Sequence, residues 1–271
     1  MAAVEFTLTQ LRLSLRFVRG YRYLDRCGEA LIKLEDALET NWIPGDISPK
    51  GGIIRNDVLG MEANFQSEGL NVTQTGLIAF EHFRDQACKI VDVLRSTLLV
   101  DKYLSPGVGL TYQQGFEEND VDKAEASLIN LGLLTVSPAL LREVGGNATS
   151  MNFAILTKVA DNWSGLEIDH NRRIAGQVIR QVRQDPIDTR LVSRVKLLPQ
   201  KQRDAMDALR SLRKMQPTIK PVAVQLDLEN RLEGELPYNE LVVHDFLTES
   251  ESWARLVVGR IPNLRQAGAK S

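Results

Sequence analysis

Asp227 and Glu229 stand two residues apart in the stretch VQLDLEN, residues 224–230. Positions i and i+2 of a β-strand share a face. Both carboxylates could therefore reach one cation, as the sheet-borne carboxylates of two-metal phosphoryl-transfer sites do. A metal-dependent nuclease built on this pair needs at least one further ligand. Two simpler readings stand beside it. The pair can be the wet side of a strand, or it can face Arg190, Arg194 or Lys196 from a neighbouring strand. Such exposed ion pairs are worth less than about 1 kcal/mol each.

A second group of chemistry-bearing residues is basic. Residues 166–216 hold twelve Lys and Arg against six acids, a local charge of +6 that leaves −8 for the remainder of a chain whose total is −2. Arg172, Arg173, Arg180, Arg183, Arg190, Arg194 and Lys196 form the part of it proposed to bind. Arginine makes planar, bidentate contacts to phosphate or carboxylate, and such clusters dock nucleic-acid backbones. No aromatic residue falls between Trp163 and Tyr238, so the stacking platforms of single-strand binders are missing from this segment. The segregated charge equally suits a contact with an acidic protein surface or with another copy of the chain.

The other reactive side chains are scattered. His82 reads as the wet side of a helix. His244 and Asp245 are adjacent on a helix and are not expected to face each other. Asp169, His170 and Asn171, in IDHNRR, read as a turn. Cys27 and Cys88 lie on apolar helix stripes and read as core thiols and not as activated nucleophiles. The sequence carries no G-x-x-x-x-G-K-[ST], no G-x-G-x-x-G after a strand, no H-E-x-x-H and no G-x-S-x-G. These absences argue against nucleotide-driven motors, dinucleotide oxidoreductases, zincins and serine hydrolases. No cofactor is expected.

The elements that must position these residues can be read from periodicity. Leu11, Leu13, Leu15 and Phe17 alternate with polar residues, including Arg12 and Arg16, and predict a strand with one greasy face. Leu24, Cys27, Leu31, Leu34 and Leu38 predict a helix. IPGDISPKGG reads as loop. Leu59 to Phe65 alternate, and a short strand follows around Leu70 and Val72. Residues 77–100 form the best helix, with Phe80, Phe83, Ala87, Val91, Leu94 and Leu98 as its stripe. Val108, Leu110 and Tyr112 alternate after it. Strand, helix, strand, strand, helix, strand is the ferredoxin-like order, with an antiparallel sheet covered by helices on one face.

Further along, Val121 to Leu131 suggest a helix and residues 151–160 a strand. Residues 172–184 fit either period, residues 189–198 alternate, and residues 200–215 suggest a helix. Residues 221–230 form a strand with Gln225, Asp227 and Glu229 on one side. A last helix should run from Pro237 to about Val258.

The layout resembles a family of α+β proteins of about this length, sporadically distributed among prokaryotes. The matching segments are VGLTYQQ after the long helix, the late strand VQLDLEN, and LVVHDF on the helix after it. The chain departs from that pattern at Thr111, where Arg is usual, at Glu229, where the family has Asp, and at Val243 before His244. The resemblance implies a fold and no catalytic roles. A patchy distribution fits mobile gene sets, including those of antiviral defence.

The chain has 271 residues, 43% of them hydrophobic and 25% charged, an ordinary composition for a folded domain with a sizeable core. No signal peptide or membrane span is apparent, so a cytoplasmic protein is expected. The expectation is an α+β chain in four parts: a ferredoxin-like domain over 1–118, a helical connector over 119–148, a second α/β sandwich over 149–262, and a flexible tail over 263–271. Its expected role is a non-enzymatic binding or assembly module of a bacterial or phage system. It would engage a protein partner or itself through polar sheet faces, namely Arg12 and Arg16, Asp227 and Glu229, and Arg190, Arg194 and Lys196. The alternative is nucleic-acid binding through residues 172–214, or the nuclease above.

Overall fold

The computed structural model describes residues 6–18, 22–38, 42–48, 51–57, 59–76, 78–133, 143, 151–163, 166–180, 220–237 and 240–268. The elements run β1 (Thr7–Phe17), α1 (Tyr23–Ala37), β2 (Ile43–Ser48), β3 (Gly51–Asn56), β4 (Met61–Gln66), β5 (Gly69–Thr75), α2 (Phe80–Leu98), β6 (Lys102–Phe116) and α3 (Val121–Ile129). Then follow β7 (Phe153–Trp163), β8 (Leu166–Arg180), β9 (Val222–Leu232), β10 (Glu235–Pro237) and α4 (Glu240–Gly268). The strands form a mixed α+β architecture around one sheet of order β2-β3-β4-β5-β1-β6-β9-β8-β7, with β10 on β6. Every pairing is antiparallel.

Alternation decides the two faces. Leu11, Leu13 and Leu15 of β1 are buried, as are Leu70 and Val72 of β5, Val108 and Leu110 of β6, and Leu226 and Leu228 of β9. These residues point to the side that carries the helices. α1 packs on β2, β3 and α2. α2 packs on β5, and α3 lies on β6, β8 and β9, while α4 lies on β6, β9 and α2. The opposite face is polar, and none of the described helices covers it.

Local chemistry accounts for the departures from expectation. Within IPGDISPKGG, Ile43–Ser48 form β2 and Gly51 and Gly52 begin β3, so these residues are strand and not loop. Pro44 is tolerated because β2 is an edge strand, and the register shifts between Pro44 and Ile47. Gly52 is needed for close approach: a Cβ there would stand 2.7 Å from the Phe65 ring, which is fully buried. Gly60 turns between β3 and β4 at φ 63°. The helix α2 stops at Leu99, which takes the left-handed conformation, while the Val100 amide donates to the Arg95 carbonyl. IDHNRR lies within β8 and is not a turn, because β8 is paired on both sides, with β7 and β9. α4 passes Gly259 and Pro262 and ends at Gly268, beyond the end expected near Val258.

The strands assigned to a second sandwich join the first sheet. β6 and β9 pair over ten positions, from Gly107↔Arg231 to Phe116↔Val222. β6 is long enough to serve both halves, at 15 residues. The strand at 189–198 and the helix at 200–215 lie outside the described residues, as does most of the connector after Leu133.

Candidate functional site

Asp227 and Glu229 point to the polar face, as the spacing predicts. Register brings four strands together there. Arg12 of β1 is opposite Gly109 of β6, Gly109 is opposite Glu229 of β9, and Glu229 is opposite Arg173 of β8. One row further, Gln10, Thr111, Asp227 and Ala175 stand side by side. The result is a shallow depression of about 230 Å³ lined by Gln10, Arg12, Gly109, Thr111, Arg173, Asp227 and Glu229, with parts of Leu110 and Leu228.

Both carboxylates are engaged within the sheet. The Thr111 hydroxyl donates to Asp227 Oδ1 at 2.8 Å, and Gln225 Nε2 donates to Asp227 Oδ2 at 2.9 Å. Gln113 Nε2 in turn donates to Gln225 Oε1 at 3.1 Å. Glu229 accepts from Arg231 at 2.9 Å and lies 3.8 Å from Arg12. Gly107 and Gly109 leave room for this. A Cβ at Gly109 would sit 3.5 Å from the Arg12 guanidinium, and one at Gly107 would sit 3.5 Å from Arg231 Nε. The glycines of β6 are a floor on which two guanidinium groups lie. Among the described residues no group of three or more His, Cys, Asp or Glu side chains could hold a metal ion. Among the described residues, none supplies the third ligand that a metal site needs beside Asp227 and Glu229.

The basic residues separate. Arg173 lines the depression. Arg172 faces the helices, with its Nη2 2.9 Å from Glu249 and its guanidinium 5.3 Å from the centre of the Trp253 ring. Arg180 is exposed at the end of β8. Arg183, Arg190, Arg194 and Lys196 lie outside the described residues, so their proposed pairing with Asp227 and Glu229 does too. Arg16 is exposed on β1, four residues from Arg12 on the same polar face.

Beneath Arg172 lies a polar cluster that spacing does not reveal. His170 and Asn230 are fully buried and meet at 3.2 Å through Nδ1 and Oδ1. Asn230 Nδ2 donates to the Ser250 hydroxyl at 3.0 Å, and Glu249 lies 3.8 Å from His170. Asn230 thus bridges His170 and Ser250. The cluster ties β8 and β9 to α4.

On the polar side, Lys158 of β7 lies 2.7 Å from Asp169 and 3.2 Å from Glu233. Hydrogen bonds to Asp169 and then Glu233 hold its pKa above the usual range. Glu233 is held below its usual value, first by the Asn171 amide and then by Lys158. His244 Nδ1 and Asp245 Oδ1 approach to 3.2 Å, closer than adjacent helix positions suggest, and both are exposed. His82 is half-buried, not on a wet surface, and Cys27 and Cys88 are half-buried against the core. Burial, then Asp92 and Asp85, push the Cys88 thiol up to about 11. Burial, then Glu251, push Tyr112 up to about 12. No described helix is long and apolar enough to cross a membrane.

Comparison of the chain with protein-family models, with curated proteins and with solved structures gives no match. The site is therefore read from its own geometry.

Proposed function

We propose that the chain is a non-enzymatic binding or assembly module of a bacterial or phage system, whose polar sheet face docks a protein partner or a second copy of itself. One observation carries this reading: Asp227 and Glu229 accept hydrogen bonds from Thr111, Gln225 and Arg231 of the same face. A carboxylate pair held this way shapes a surface, and among the described residues no third acidic, His or Cys side chain joins it as a metal ligand. Arg12 and Arg173 flank it at the rim of the depression, where planar guanidiniums suit acidic groups of a partner.

The ferredoxin-like reading of the first half is part of the proposal. It is supported by the spatial order β6-β1-β5-β4 and by α1 and α2 packing against each other on one face. The antiviral setting rests on the family resemblance alone. A nucleic-acid partner is the second reading, favoured by the outward direction of Arg173.

Native mass spectrometry of the chain purified from its own host tests the proposal. The expected result is a mass above the monomer that is lost in an Arg12→Glu, Arg173→Glu variant with unchanged circular dichroism. A partner chain still bound, or an assembly larger than a dimer still formed, after that double reversal would sink it. Nucleic acid in place of protein in the complex, with an affinity falling steeply as salt rises, would replace it by the second reading.

A further inference from the structure

The strand β7 closes one end of the sheet, and among the described residues only β8 pairs with it. It is 11 residues long, far longer than the short edges by which proteins usually avoid strand addition. Its outer half is also apolar. Leu156 is 75% exposed, more than any other large hydrophobic residue described, and Ile155 and Val159 are half-buried. The one charge at the middle of the edge, Lys158, is already matched by Asp169 and Glu233 inside the chain.

We propose that β7 is a self-pairing edge: two copies of the chain join β7 to β7 antiparallel about a two-fold axis at Thr157, making one continuous sheet. The register follows from the residues. Paired residues share a face, so with the axis perpendicular to the sheet the centre must fall on a residue. Centred on Lys158, the pairing would set two ammonium groups against each other. Centred on Thr157, it sets Ile155 against Val159 twice, Thr157 against Thr157, and Leu156 against Lys158, whose methylene stem covers the exposed leucine. Each residue meets a different partner except at the axis, as an isologous interface requires. Leu156 and Lys158 lie at the margin of the polar face, with Leu156 opposite Arg173, but the pairing runs along the free backbone edge of β7, so the inference stands whether or not that face docks a partner.

The sign of one pair of substitutions tests the register. Leu156→Lys places Lys opposite Lys158 of the second copy, and Leu156→Glu places a carboxylate there. Sedimentation equilibrium of the full chain should show a reversible dimer. Its dissociation constant should rise about tenfold with Leu156→Lys and fall with Leu156→Glu. Thr157→Cys should give a disulfide-linked dimer on mild oxidation, mapped to the new thiol by mass spectrometry, because facing Cα atoms across an antiparallel pair lie within disulfide reach. Three results would overturn the proposal. A wild-type chain that stays monomeric at about 100 µM, far above any reversible dimer of use, removes the interface. Equal weakening by Leu156→Lys and Leu156→Glu removes the register. A cross-link absent from the Thr157→Cys protein removes the axis.

Discussion

Arg172 and Arg173 are neighbours in the chain and face opposite sides of the sheet. Arg172 is inside, gripped by Glu249 and stacked on Trp253. Arg173 is outside, at the rim of the polar depression. Adjacent guanidiniums thus do different work, one tying β8 to α4 and one presenting charge. Arg172→Lys should destabilise the fold by about 1 kcal/mol, because an ammonium loses the stacking and the fork geometry. Arg173→Lys should leave stability within about 0.5 kcal/mol. Urea midpoints, followed by far-ultraviolet circular dichroism, measure both. Equal losses at the two positions would contradict the split.

The Thr111 and Asp227 side chains are coupled across 116 residues of sequence. Removing the hydroxyl with Thr111→Val should cost about 1 kcal/mol, and removing its acceptor with Asp227→Ala a similar amount or more. Together they should cost clearly less than the sum, since each abolishes the same bond. Strict additivity in a double-mutant cycle would mean that the bond contributes nothing.

Two glycines test the packing on the two faces. A Cβ at Gly176 would lie 2.5 Å from the Phe153 ring and 3.1 Å from Leu128, so Gly176→Ala should cost about 2 kcal/mol. At Gly109 the nearest atoms are those of Arg12, at ordinary contact distance and on a mobile side chain. Gly109→Ala should be neutral or slightly stabilising, because alanine restricts the unfolded chain. Thermal midpoints of the two variants should move in different directions or by very different amounts.

Cys88 carries a pH prediction. Its thiol ionises near pH 11 in the folded chain against 9.0 for an ordinary cysteine. The folded pKa is raised, so the unfolded chain releases this proton first. The contribution to stability is complete below about pH 9 and is lost as the pH climbs toward 11. Alkylation of the native Cys27→Ser protein should therefore be on the order of a hundredfold slower at pH 8 than in urea, since only the thiolate reacts. Equal rates in the two conditions would contradict the burial assigned to Cys88.

Local order in this chain is plain where one face is apolar and the other wet. β1, β4, β6, α2 and β9 all have that pattern, and so the Asp227–Glu229 pairing on one face was legible. What the residues could not announce depends on partners distant in sequence. β2 carries Pro44 beside Gly45, and the proline is permitted because β2 lies at the sheet edge. β8 places polar His170 and Arg172 toward the helices, where Asn230, Glu249 and Trp253 receive them. With polar residues on its inner side, its alternation is blurred, and IDHNRR imitates a turn. Thr111, Gln225 and Gly109 acquire a role at the depression only once β1, β6, β9 and β8 lie side by side.

The long strand β6 has a consequence for how the chain could be divided. Its β1 side belongs to the first half and its β9 side to the second, and ten residue pairs make that second seam. A cut between α3 and β7 would leave each piece with a raw edge, greasy on one side and polar on the other, in matching register. The two fragments, made separately, should recognise each other and restore the slab, much as the halves of a split reporter do. Neither should remain soluble for long without the other.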